Sequence, residues 1–250
     1  MTLFGYRIPM MASLLLWCLL WEAIGRADII FLVPPFTSVL AATVELVQLG
    51  KFQAATVTTL RAFVIGMALA IVVGVALGAL MGRVRAADRL LGMWVNLFVS
   101  APLSALVPVL MILFGLGEKT IIVSVFLFAV WIIALDTRAG VMHVSTSLVE
   151  MGRCYGANHW QLYSRIIFLA ALPEILAGIR LGLIRGVKGV VIGQLLVSII
   201  GYGELFELYS RNFLMERFWA LTILLFAFAM VVAELVGALE RRIEYYAGVR

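Results

Sequence analysis

The feature that most constrains this chain is a series of six long apolar stretches bounded by charged residues, at about 8–24, 62–81, 93–116, 121–135, 175–200 and 218–239. A run of about 20 apolar residues at helical rise matches the hydrocarbon thickness of a bilayer. A lipid-exposed backbone has no water to bond, so it must close its own hydrogen bonds, and runs without period-two alternation exclude a barrel. Each run is therefore predicted to be a helix, and the fold class is an all-α polytopic membrane protein with six transmembrane helices. The chain of 250 residues is 64% hydrophobic and 13% charged, against roughly 45–50% and 25% in globular domains. Membrane and short loops use it up as one transmembrane domain, 1–250, leaving no stretch for a soluble domain of about 100 residues. Any energy source or ligand-capture module is expected on other polypeptides.

The net charge of +5 is not a nucleic-acid signal, because the basic residues are dispersed and form no aromatic-interleaved stripe. It reads as topology. With the amino terminus inside, ten basic residues fall in inner segments (Arg7, Arg83, Arg85, Arg89, Arg138, Arg153, Arg165, Arg241, Arg242, Arg250). Five fall outside (Arg26, Lys51, Lys119, Arg211, Arg217), so the positive-inside rule predicts both termini cytoplasmic, in the cell's inner membrane. Arg7 and the apolar run after it lack an A-x-A cleavage site, so this run is expected to stay as the first span. Cys18 and Cys154 form no disulfide framework or C-x-x-C pair and are expected to be structural thiols.

Residues 27–59 are more polar. Pro34 and Pro35 break the chain, and Ser38 is predicted to cap an amphipathic helix running to about Leu49 along the membrane surface. Gly74, Gly78 and Gly82 recur every four residues in the second run, as do Gly178, Gly182 and Gly186 in the fifth. Such strips let another helix backbone approach closely. Pro102 and Pro108 are predicted to kink the third helix, which is expected at the centre of the bundle.

The inner loop, 136–172, is long and polar for so apolar a chain. Within it Glu150, Met151 and Gly152 precede a predicted break at Gly156, where glycine permits a positive φ, and Asn158 can cap a second short helix. Trp160 and Leu162 are read as exposed apolar knobs that need a partner's pocket. Glu150 is expected to fix the loop by pairing with a basic residue or capping a helix start.

Alternative chemistry is excluded by spacing. Residues Gly115 to Thr120 lack the G-x-x-x-x-G-K-[ST] pattern of a phosphate-cradling loop, so this stretch is expected to be a plain loop. His143 and His159 have no thiolate or carboxylate at ligand spacing, which leaves no metal site, and there is no G-x-S-x-G elbow. The chain is read as a transporter and not an enzyme, with no cofactor of its own. A secondary transporter driven by an ion gradient is the alternative, although no inverted repeat relates the two halves.

The fifth run carries Arg180, Arg185 and Lys188, and ionised side chains at bilayer depth must face protein, water or a counter-ion. Arg185 and Lys188 share a helical face. They either line a pathway for an anionic solute or pair with carboxylates such as Asp136 or Glu150, with Arg180 reaching the inner headgroups. Gln194 and Ser198, one turn apart, are neutral hydrogen-bonding candidates for the pathway.

The run from Glu150 to Pro173, with Gly156, Ala157, Trp160, Gln161 and Leu162 inside it, resembles the E-A-A loop of ABC importer permeases. Val33 to Leu40, Thr59 to Arg61, Pro102 to Pro108 and Phe114 to Gly117 are similar in order and spacing to the nitrate/sulfonate/taurine permeases, over about residues 33–245. Met151 and Gly152 stand where that loop has two alanines, Phe168 and Leu169 replace the first of two leucine-proline pairs, and Gln194 stands near the position of a glutamate in many such permeases. The resemblance implies a type I, MetI-like permease fold and a coupling helix at 148–164. It implies as partners a cytoplasmic ATPase dimer that binds the ATP, a second permease copy and an extracytoplasmic binding protein. It further implies a small solute of the nitrate, sulfonate or taurine kind.

Overall fold

The structure is a computed structural model that describes residues 2–3, 6–7, 10–28 and 30–247. The first two residues of the first apolar run, Ile8 and Pro9, and Arg250 of the inner basic set lie outside them. Apart from a two-residue antiparallel pair, Thr2–Leu3 with Tyr6–Arg7, the described chain is helical. In order come α1 (Met10–Arg26), α2 (Phe36–Gln48), α3 (Gly50–Arg83), α4 (Arg85–Ser100), α5 (Val107–Phe114) and α6 (Glu118–His143). There follow α7 (Thr146–Cys154), α8 (His159–Gln161), α9 (Phe168–Ala170), α10 (Leu172–Val197), α11 (Tyr202–Arg211) and α12 (Met215–Ala247). A 3-10 turn, Leu103–Leu106, precedes α5, and a π-helical stretch, Leu162–Ile167, joins α8 to α9.

Three helices, α3, α6 and Met215–Val232 of α12, are each long and apolar enough to cross a membrane. Two bent pairs can each serve as one crossing: α4 with the 103–114 segment at 96°, and 159–170 with α10 at 61°. The first run becomes α1, whose 17 residues lie at the short end of the spanning range.

The central element is α6, not the third run. Both glycine strips press on it, apart from Gly186, which meets Met67 and Phe63 of α3. A Cβ at Gly74 would lie 2.9 Å from Ile133, and one at Gly78 only 2.5 Å from the Ala134 carbonyl oxygen. From the other side a Cβ at Gly178 would lie 2.7 Å from Asp136 and one at Gly182 2.6 Å from Ile133. Small residues thus let α3 and α10 sandwich α6, the close packing that replaces hydrophobic collapse inside lipid. Ile121, Val125, Ala129 and Ile133 of α6, Ala62, Phe63 and Met67 of α3, and Val187, Val190 and Val197 of α10 make the main core.

The two prolines of the third run act differently. Pro102 pushes the preceding Ala101 into an extended conformation (φ −69°, ψ 146°), which ends α4 and makes the bend. Pro108 lies in the first turn of α5, where its missing N–H had no partner to lose, so it starts a helix.

The polar stretch, 27–59, is not all surface helix. Its second part, from Gly50, is the beginning of α3, and Thr56, Thr58 and Thr59 satisfy their hydroxyls by donating to the carbonyls four residues back. Ser38 lies inside α2 and caps nothing. That helix starts after Pro35, and the capping carboxylate comes from α1: Glu22 accepts from the Thr37 amide at 2.9 Å and from its hydroxyl at 3.0 Å. Trp21 packs on Phe36 and Trp219, and the two indoles donate to the carbonyls of Pro34 and Leu32, pinning the connecting loop.

Candidate functional site: the 146–170 elbow and the face of α10

The sequence element that projects from the bundle is an elbow of two short helices, and the amides from Tyr155 to Asn158 at its corner all have partners. Helix α7 ends at Cys154, and Gly156, two residues on, has a φ of +77°. The Ala157 amide donates to the Gly152 carbonyl at 3.0 Å and the Gly156 amide to the Arg153 carbonyl at 2.9 Å. This is the Schellman pattern, which needs a residue tolerant of the left-handed region. Asn158 then starts α8 with a capping box: its side chain accepts from the Gln161 amide at 2.8 Å, and the Gln161 side chain accepts from the Asn158 amide at 3.0 Å. Gly152, Gly156, Ala157, Asn158 and Gln161 are thus the framework of the corner.

The knobs differ from the expected pair. Trp160 is 79% exposed, but Leu162 is 3% exposed and buried in its own chain. Two residues along a helix turn the side chain to the opposite side, so Leu162 faces α7. A Cβ at Gly152 would lie 3.0 Å from it and 2.4 Å from Ile166, which explains a glycine where a longer side chain would wedge the elbow open. Tyr155, 87% exposed, and Met151, 49% exposed, join Trp160 as outward anchors; Tyr155 was not foreseen from the sequence, and its place beside Gly156 at the corner is the signal for it. Glu150 is exposed on α7 and, among the described residues, makes no ion pair and no cap. It does not fix the loop within this chain. Cys154, expected to be structural, is exposed at the end of α7.

At the same end of the bundle, Arg138 donates to Asp88 at 2.9 Å, tying α6 to α4, and the Arg83 guanidinium lies 3.6 Å above the Tyr163 ring. At the opposite end Arg61 pairs with Glu118 at 3.1 Å. Glu118, Lys119 and Thr120 are the first turn of α6 rather than loop, and the Thr120 hydroxyl donates to the Gly115 carbonyl.

The four candidate pathway residues do not share one lining. Arg185 donates to the Val99 carbonyl at 3.3 Å, one of the orphan acceptors at the broken end of α4. Lys188, exposed, lines a trough of about 320 Å³ between α10 and α12 whose walls include Ile184, Val191, Leu225 and Phe226. Gln194 is 2% exposed and donates to Thr59 at 2.8 Å, 135 positions away in the chain. It is clamped by the following turn: a Cβ at Gly203 would lie 2.0 Å from its carbonyl oxygen. Ser198 sits in the left-handed region (φ 51°) as the C-cap of α10, its hydroxyl donating to Leu195. Gln194 and Ser198 therefore build the end of α10, and Lys188 alone of the four lines the open trough.

Known proteins place this architecture. A probable ABC transporter permease of Brucella melitensis is 34% identical over 154 residues, covering 62% of this chain and 61% of that one. The carnitine transport permease protein OpuCD of Listeria monocytogenes is 32% identical over 151 residues, with 59% and 64% covered. The glycine betaine/carnitine/choline permease of Bacillus subtilis is 32% identical over 153 residues, with 60% and 63% covered. The chain thus spans about three fifths of the length of the curated relatives it matches. These names point to carnitine, glycine betaine and choline, and do not single out nitrate, sulfonate or taurine permeases. The MetNI methionine ABC transporter, solved in inward-facing conformations, shares the fold at a TM-score of 0.65 and 20% identity, covering 79% of this chain and 96% of that one. Residues 70–245 match the binding-protein-dependent transport system inner membrane component. The chain belongs to that family of binding-protein-dependent transport system inner membrane components, and its fold is MetI-like.

Proposed function

We propose that the chain forms the translocation pathway of an ATP-driven importer and takes its power stroke through the 146–162 elbow. The observation that carries this reading is the elbow itself. Its corner is held from within, while Tyr155 and Trp160 point outward at 87% and 79% exposed and Met151 is half exposed beside them. Aromatic anchors of this kind gain about 2 kcal/mol or more when a partner's pocket buries them. The partner we assign is an ABC ATPase dimer, which would bind the ATP, with a second permease copy and an extracytoplasmic binding protein completing the complex. Both termini are placed in the cytoplasm. The elbow then lies inside, with Arg83, Arg85 and Arg138 at the same end.

The solute proposed is small and carries an anionic group. An exposed lysine in an apolar trough at bilayer depth is costly against lipid, and Lys188 in that setting favours a carboxylate or sulfonate over a bare cation. Of the solutes in the relatives' names, carnitine and glycine betaine carry a carboxylate, as this class requires, whereas choline does not. Co-expression with the ATPase and binding protein tests the reading: Trp160→Ala and Tyr155→Ala should leave permease in the membrane yet lower ATPase co-purification and solute-stimulated hydrolysis about tenfold or more. Uptake by the isolated chain driven by an ion gradient would instead establish a secondary transporter.

A further inference from the structure

At the foot of the elbow lies a slot of about 430 Å³ that shares Trp160 with the docking surface proposed above but is otherwise not used by it. One wall is the last turn of α3, with Ala79, Leu80 and Arg83; the other is the crossing helix, with Trp160, Tyr163 and Phe168. We propose that this slot is a binding site for an anionic phospholipid, with the headgroup phosphate on Arg83 and an acyl chain along Leu80 and Phe168. The inference rests only on α3 crossing the membrane and is independent of how transport is powered.

Two observations carry it. The apolar run of α3 ends at Met81, so Leu80 belongs to the hydrocarbon and Arg83, one turn on, to the headgroup layer. The slot straddles that boundary, and a phospholipid is the ligand that supplies tail and phosphate side by side across it. Arg83 is also pre-set for a phosphate. Its guanidinium carbon lies 3.6 Å from the centre of the Tyr163 ring, a cation–π contact that holds the group at the slot. No carboxylate pairs with it among the described residues, so its N–H groups are not taken up by an ion pair. A planar fork suits bidentate binding of phosphate oxygens. Ser164 does not compete, because its hydroxyl donates to the Trp160 carbonyl at 2.7 Å.

The test is native mass spectrometry of the purified chain titrated with phosphatidylglycerol or phosphatidylcholine of equal acyl length. We expect phosphatidylglycerol adducts to exceed phosphatidylcholine adducts about fivefold, the contribution of one interfacial basic residue. That preference should vanish in Arg83→Gln and persist in Arg85→Gln, whose side chain lies outside the slot. Glycerol phosphate at the same concentration should not displace the lipid. A measurement that needs no charge variant is quenching by brominated phosphatidylglycerol, which should fall between wild type and Trp160→Phe. Equal adducts for the two lipids, an equal loss in Arg85→Gln, or displacement by glycerol phosphate would overturn the assignment. So would an Arg83→Gln chain that keeps its lipid preference but loses the ATPase, since the slot would then be a protein contact.

Discussion

Gly78→Ala adds one methyl group at the tightest point of the α3–α6 seam, and its effect can be worked from distances. The new Cβ would lie 2.5 Å from both the Ala134 carbonyl oxygen and Thr137 Cβ, where ordinary contact begins at 3.4 Å. The two helices must separate by roughly 0.9 Å, the difference between those distances, because the obstacle is backbone and cannot rotate away. Overpacking of a close-packed interior costs about 1–3 kcal/mol, and alanine in a helix returns about 0.5–1 kcal/mol relative to glycine. The net loss is then about 0–2.5 kcal/mol, and a backbone obstacle that cannot yield puts it in the upper part of that range, about 1–2.5 kcal/mol, or about 2–10 °C in Tm at 2–4 °C per kcal/mol for a chain of this size. Fluorescence-detected thermal unfolding in detergent measures it. Gly50→Ala in the same helix is the control: a Cβ there meets nothing within 4 Å, so Tm should hold or rise slightly. An unchanged Tm in Gly78→Ala, or equal shifts in the two variants, would refute the claim that α3 and α6 touch through their backbones. Gly78→Leu and Gly182→Leu should go further and lower the yield of folded permease.

Other expectations follow from the same structure. Thr59→Val removes the partner of the buried Gln194 amide and should cost about 1–3 kcal/mol, visible as lost thermal stability that Thr59→Ser largely restores. Gly156→Ala forces a Cβ into the left-handed region and should cost about 1 kcal/mol at the corner, read as faster proteolysis between α7 and α8 with the spans intact. Lys188→Gln should weaken uptake of an anionic solute with assembly unchanged, whereas Arg185→Gln should destabilise the fold by stranding the Val99 carbonyl. Equal uptake and stability in the two variants would contradict that separation. Cysteines at Arg85 and Arg242 should be labelled from the cytoplasm and one at Arg211 from outside; labelling of Arg85→Cys from outside would reverse the orientation.

What could be read in the sequence was what local periodicity and residue geometry determine. The apolar runs located the spans, the recurrent glycines located the seams, and Gly156 with Asn158 located the elbow, because each signal acts within a few residues. What escaped depends on distant partners. Nothing near Thr59 announces Gln194, and nothing near Arg185 announces the carbonyl at the end of α4, 86 residues away. The start of α3 was missed because Lys51, Gln53 and three threonines look like surface, although threonines that return their hydroxyls to the helix are at home in a span. Leu162 is a different case: its spacing from Trp160 already placed the two on opposite sides of a helix, and composition alone suggested otherwise.

The π-helical stretch from Leu162 to Ile167 sets the phase between the elbow and the rest of the chain. An α-helix advances about 100° of rotation per residue, whereas an i→i+5 turn accommodates one residue more in each turn. Relative to an uninterrupted α-helix, Trp160 is therefore swung by about that angle around the axis of the segment leading to α10. Length and azimuth are separable here: a one-residue deletion within 162–167 would barely shorten the segment, yet it would re-aim Trp160 by roughly a quarter turn. The stretch works like the clocking of a crank on its shaft, so the direction in which the elbow presents its anchors depends on how many residues wind through these turns as well as on which residues they are.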